Sequence, residues 1–117
     1  MAALLKLNKK VLLPFGENSR YDLVFDDDGC FIRVQCKSGR LVGSEIHFNS
    51  CSAGVSGRKD YRGQIEYFGI YCAELGKVYL VPVDRANKTD TVLRLVPSAT
   101  RNAVLRARSL SASDFEL

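Results

Sequence analysis

The sequence predicts an α/β domain built on a mixed β-sheet of about five or six strands, with a few flanking helices. Three observations carry this expectation. Short segments alternate apolar and polar residues, the period of a strand with one buried face. Turns rich in Gly, Asp and Pro punctuate them at short intervals. Helical spacing of apolar residues is visible near the start, where Leu4 and Leu5 lie among lysines. The 117 residues suit a single domain spanning 1–117.

In chain order, residues 2–9 read as the last turns of an amphipathic helix. No capping residue precedes it, so this N-terminal helix reads as shortened. Val11 to Leu13 suits a short strand that Pro14 and Gly16 break. Tyr21 to Phe25 is the next strand. Asp26-Asp27-Asp28-Gly29 is a hairpin turn, because Asp and Gly tolerate the backbone angles a tight turn needs. Phe31 to Lys37 is the returning arm, stopped by Ser38-Gly39. Residues 44–50 alternate, with Ile46 and Phe48 on one face. Residues 52–63 read as a Gly- and Ser-rich loop carrying Arg58, Lys59 and Arg62. Ile65 to Cys72 and Lys77 to Val83 form a second hairpin through Glu74-Leu75-Gly76, with Pro82 at its end or on an edge. Thr91 to Val96 alternates as a strand, and residues 99–117 fit either a helix or a final strand.

Composition narrows the class. Hydrophobic residues make up 46% and charged ones 26%, as in ordinary globular chains. No apolar run nears the roughly 18 residues of a membrane-spanning helix. The opening MAALLKLNKK turns charged too soon for a secretion signal, so a cytoplasmic protein is expected. The net charge of +4, from 17 basic and 13 acidic residues, permits a polyanionic partner without requiring one. Cys30, Cys36, Cys51 and Cys72 lack metal-ligand spacing, and His47 is the one histidine. Buried free thiols are expected.

The first hairpin carries the chemistry. Arg33, Gln35 and Lys37 share one face of its second arm, and Ile32, Val34 and Cys36 take the other. A turn over Asp26 to Gly29 sets residue 22 opposite 33. A turn centred on Asp28-Gly29 sets it opposite 35. In both registers Asp22 joins Gln35 and Lys37, and a slip of one residue would separate them. Polar residues on one face of a hairpin are ordinarily its wet face. A carboxylate and an amide oxygen across two strands are also ligands for a hard cation. A nearby lysine can act on water or stabilise charge on a phosphate. Together they are the minimum parts for metal-assisted phosphodiester hydrolysis.

The spacing of Asp22 and Gln35-Cys36-Lys37 resembles the D…(D/E/Q)-x-K motif of PD-(D/E)XK nucleases. The bare motif is weak. The words LLPFGENSRYDLV, FIRVQCKSGR, DYRGQIEYFGIYC and KVYLVPVD are more specific, and resemble the PD-(D/E)XK endonucleases associated with group I introns. That family is similar in fold to archaeal Holliday-junction resolvases. The likeness runs from Leu5 to Val96. It implies a restriction-endonuclease-like mixed sheet and a homing-type DNA endonuclease dependent on Mg2+, with Mn2+ as a substitute. By the same resemblance Asp22, Gln35 and Lys37 are the catalytic residues. Asp22, Gln35 and the backbone carbonyl of Cys36 are the metal ligands, and Gln35 stands where many relatives carry an acid. Val34 and Ile32 pack the hairpin onto the core.

One departure stands out. Relatives carry a glutamate early in the first helix, and residues 1–15 contain no acid; Glu17 is the nearest candidate. This keeps two alternatives open: a structure-specific, junction-resolvase-like nuclease, and an inactive DNA-binding relative. Arg20, Arg33 and Arg40 flank the hairpin, and with Arg58, Lys59 and Arg62 form the expected DNA contacts. Arg101, Arg106 and Arg108 make a weaker basic patch. Tyr67, Phe68, Tyr71 and Tyr79 read as core and interface. One such site cuts one strand, so cutting a duplex implies a homo-oligomer, a dimer or a tetramer. No small-molecule cofactor and no membrane partner are expected.

Overall fold

The computed structural model describes residues 2–7, 9–15, 20–54, 57–61, 63–96 and 109–117, with the main chain alone for 52–54, 57–60 and 109. Its architecture starts from the first hairpin. Asp28 and Gly29 both take positive φ, 51° and 91°. That is the conformation of a two-residue turn matched to strand twist, and Gly and Asp adopt it most readily. The Gly29 amide donates to Asp26 Oδ1 at 2.8 Å and closes the turn. Strands β2 (Leu23–Asp27) and β3 (Cys30–Ser38) therefore pair with Leu23 opposite Val34 and Asp27 opposite Cys30. Of the two registers the sequence allows, this is the one centred on Asp28-Gly29.

The remaining elements are α1 (Ala2–Lys6), β1 (Lys10–Leu12), β4 (Arg40–Val42), β5 (Glu45–Asn49), β6 (Cys51–Gly54), β7 (Gly57–Asp60), β8 (Tyr67–Cys72), β9 (Lys77–Pro82), β10 (Asp90–Arg94) and β11 (Ser109–Ser111). Single 3-10 turns lie at Val83–Arg85 and Ala112–Asp114. A five-stranded sheet runs β1-β2-β3-β8-β9 and a four-stranded sheet runs β11-β10-β5-β4. Both are mixed: β3 pairs with β8 in parallel, β10 with β11 in parallel, and their other neighbours are antiparallel. Among the described residues no helix is long and apolar enough to cross a membrane.

The main core lies between the two sheets. Phe68, Ile70 and Cys72 of β8, with Tyr79 and Val81 of β9, face Ile46, Phe48, Leu93 and Leu110 of the second sheet. Fully burying each such aliphatic or Phe side chain contributes about 1.5–3 kcal/mol. The other face of the five-stranded sheet packs Leu23, Phe25 and Val34 under Leu4 of α1, with Ile32 alongside. The expected mixed α/β character holds, but the strands form two sheets face to face where one was expected, with one short α-helix on the outer side among the described residues.

Several local expectations change. Where a loop was expected over 52–63, strands Cys51–Gly54 and Gly57–Asp60 pair antiparallel, with Cys51 opposite Asp60. Of the cysteines, Cys51 and Cys72 are buried but Cys30 and Cys36 are exposed. Phe68 and Tyr79 join the core, while Tyr71 lies exposed on the outer face. Residues 99–108 lie outside the described residues, and β11 follows them as a strand.

Two contacts hold the central strand in place. Gly39 N–H donates to the Tyr71 carbonyl at 2.9 Å, where the chain leaves the first sheet for the second. A Cβ there would lie 2.6 Å from Ile46 Cγ2 and 2.8 Å from Ile70 Cγ2. At the other end of the parallel pair, Glu66 Oε1 accepts the Arg33 main-chain N–H at 2.8 Å, and Arg33 Nε reaches both carboxylate oxygens at 3.0 Å. The Glu66 N–H returns a bond to the Arg33 carbonyl at 3.0 Å.

Gly39→Ala is expected to cost about 1–3 kcal/mol through overpacking, read as a lower urea midpoint at unchanged slope. The hydrogen bonds from Arg33 hold the Glu66 carboxyl below its ordinary value of 4.5. The stabilisation is complete above that value and is lost as pH falls through the lower folded-state value. Urea unfolding at pH 7 and pH 3 should therefore show a smaller acid loss for Glu66→Gln than for the wild type; equal losses would remove the pair from the acid response.

Candidate active site

Alternation along β3 sends Val34 to the outer core, so Gln35 and Lys37 emerge on the inner side of the sheet. There they lie opposite Phe68 and Ile70 across the parallel pair. Asp22 sits one residue before β2, and its N–H donates to the Val34 carbonyl at 2.8 Å. This continues the ladder and brings its side chain to β3. Asp22 Oδ2 accepts the Cys36 main-chain N–H at 2.8 Å and the Gln35 Nε2 amide at 2.9 Å. Gln35 Nε2 also lies 3.4 Å from the Cys36 carbonyl oxygen. The carboxylate, the amide and that carbonyl, which sequence reading grouped, therefore meet within hydrogen-bonding distance.

This is an oxygen-rich corner with a donor at its centre. The Gln35 NH2 occupies the space between the Asp22 carboxylate and the Cys36 carbonyl, the place where two oxygens attract a positive partner. Turning the amide end for end about its broad last torsion would present a third oxygen. Such a donor set suits a hard cation and not a soft one. Among the described residues no group of three or more His, Cys, Asp or Glu could hold a metal ion, and the carboxylate bonded at this corner is that of Asp22. Glu17 lies outside the described residues.

The Cys36 side chain points the other way and lines a cavity of about 370 Å3 with Leu4, Val34 and Leu80. Partial loss of water around the sulfur in that cavity, and then the nearby Asp22 charge, push its thiol above the ordinary value. It stays a neutral thiol at neutral pH, so Cys36 offers the corner its carbonyl and not its sulfur.

Lys37 extends toward the β6–β7 hairpin. Its ammonium donates to the Cys51 carbonyl at 3.4 Å and to the Tyr61 hydroxyl at 3.5 Å. The Tyr61 ring centre lies 5.0 Å from Nζ. Arg20 stacks on the same ring at 3.9 Å and its Nε donates to the Gln64 side chain.

The expected DNA contacts fall into three groups. Arg20 lies beside Lys37 on Tyr61. Arg33 points at Glu66, which the sequence reading did not connect to it. Arg40 is exposed on β4, opposite His47 of β5. Arg58 and Lys59 sit on β7 by their main chain, and Arg62 lies outside the described residues, as do Arg101, Arg106 and Arg108. His47 stands 3.5 Å from Glu45 on the face of β5 away from the core residues Ile46 and Phe48. Cys51 and Gln64 are the residues missed; Tyr61, expected among the basic residues Arg58, Lys59 and Arg62 of a phosphate-tracking loop, contacts Lys37 instead. A main-chain carbonyl such as that of Cys51 carries no sequence signal.

Comparison with known proteins bears on the family and the fold. The solved structure of a bacterial homing endonuclease, I-Ssp6803I, is similar with a TM-score of 0.64 and 25% sequence identity, over 92% of this chain and 76% of that one. No curated protein matches in sequence. The family model of the PD-(D/E)XK endonucleases matches residues 1–116, a span that contains the whole Asp22, Gln35 and Lys37 corner, and the chain belongs to that family.

Proposed function

We propose that this protein is a homing-type DNA endonuclease that hydrolyses phosphodiester bonds with Mg2+, or with Mn2+ in its place. One observation carries the reading: the Asp22 carboxylate is bonded to both Gln35 and the Cys36 main chain, with Lys37 on the same face. Asp22, the Gln35 amide oxygen and the Cys36 carbonyl would hold the cation, which when bound supplies charge stabilisation and an activated water. Asp22 keeps the Gln35 amide and the β3 main chain in place. Lys37 presents a full positive charge beside them, suited to the negative charge that builds on a phosphate under attack. Arg20 and Arg40, with the basic residues of the 51–60 hairpin, would follow the DNA backbone and give binding a steep salt dependence. A single site cuts one strand, so cleavage of a duplex calls for a symmetric oligomer.

A second reading, a DNA-binding relative without cleavage, draws on one observation: among the described residues the corner has a single carboxylate. With Asp22 as its one described carboxylate the corner would hold a cation weakly, and the hydrolytic reading therefore predicts activity that needs high Mg2+ or Mn2+.

Nicking of supercoiled DNA in Mg2+ or Mn2+ separates the two. Asp22→Ala is expected to abolish cleavage, and Lys37→Ala to lower its rate by about 10²–10³-fold while DNA binding persists. Cleavage that survives both substitutions would sink the site assignment. Binding without cleavage by the wild type would establish the second reading.

A further inference from the structure

We propose that Tyr61 is a positioning residue for Lys37, holding its ammonium at the Asp22–Gln35 corner. The proposal rests on the hydrolytic role given to Lys37 above. A lysine carries its charge on a flexible four-carbon stem with about 2 kcal/mol of rotamer entropy. A group that acts on a phosphate must be held within about 0.5 Å of its working position. Something has to take up that freedom.

The base of the β6–β7 hairpin does so. It brings the Cys51 carbonyl and the Tyr61 hydroxyl to 3.4 Å and 3.5 Å from Nζ. It also sets the aromatic ring 5.0 Å away, within the range over which a cation is drawn to a π-face. All of these partners are neutral, so they orient the ammonium without cancelling its charge. The Cys51 main chain is itself fixed, since its N–H donates to Asn49 Oδ1 at 3.0 Å.

Tyr61 is rigid enough for the task. Its side chain is 4% exposed. Its ring meets Phe68 edge to face, 5.5 Å away at 86°, and Phe68 in turn packs 5.6 Å from Phe48. The Tyr61 carbonyl accepts the Gln64 N–H at 3.0 Å, while the Gln64 side chain accepts from Arg20. The packed inter-sheet core thus reaches the ammonium through three rings in contact. The same ring seats Arg20 at 3.9 Å, so two cations flanking the corner share one anchor.

The tether can be read without activity. In protein labelled with 13C at lysine Cε, the Lys37 resonance, assigned by its loss in Lys37→Arg, should be displaced upfield by the Tyr61 ring current. Tyr61→Phe should keep that displacement and Tyr61→Leu abolish it. A Lys37 resonance lying among those of exposed lysines in the wild type would overturn the proposal, whether or not Tyr61→Leu folds. In DNA cleavage, Tyr61→Leu should lower kcat by about 10- to 100-fold at unchanged KM, with Tyr61→Phe restoring most of the rate. A raised KM at unchanged kcat would make Tyr61 a DNA-binding residue and overturn the positioning role. Absence of cleavage by the wild type would sink the hydrolytic reading alone, and the resonance would still decide the tether.

Discussion

The placement of β3 between β2 and β8 is the constraint on which the rest depends. On one side a two-residue turn at Asp28-Gly29 sets the antiparallel register; on the other, Phe68 and Ile70 set the parallel one by burial. A slip of one residue on either side would exchange inner and outer faces. It would expose Phe68 and Ile70 or bury Gln35 and Lys37. Each lost burial costs about 1.5–3 kcal/mol, which is large against the net stability of a small domain. The polar corner is therefore held in register by apolar packing that takes no part in its chemistry.

The electrostatics follow from that placement. The Asp22 carboxylate at the corner is engaged in bonds that tie it to β3. Lys37, on the same face of β3 as Gln35, and Arg20 rest on a neutral aromatic support, the Tyr61 ring. Arg33, three residues before Cys36 on the same strand, is matched by Glu66 and serves the β3–β8 junction. Cations on one strand thus divide between an ion pair that holds the sheet and neutral partners that leave the charge uncompensated. Which of these a given residue has depends on whether a carboxylate from another strand reaches it.

Sequence reading reached the hairpin and its polar face because both are local. A turn of Asp and Gly and a period of two residues are written within 16 positions of each other, from Asp22 to Lys37. The reading fell short where partners are distant. β4 is three residues long and too short to show a period. The 51–60 hairpin is Gly- and Ser-rich and lacks the alternation that marks a strand, so its pairing could not be seen. The second sheet joins β10 to β5 and to β11, which no local pattern predicts. Cys36 was expected inside with Val34, but it is exposed and lines a cavity beside α1.

By itself the sequence determined the hairpin, the common face of Asp22, Gln35 and Lys37, and a likeness to PD-(D/E)XK endonucleases that the family match bears out. These depend on spacing along the chain, which side-chain alternation converts directly into geometry. Only the tertiary structure decided that Lys37 meets Cys51 and Tyr61, that Arg33 belongs to Glu66, and that a second sheet closes the core. The contacts of Lys37 and Arg33 join residues 14 to 33 positions apart. Their pairing is chosen by the packing of whole strands against one another, a quantity that no single stretch of residues contains.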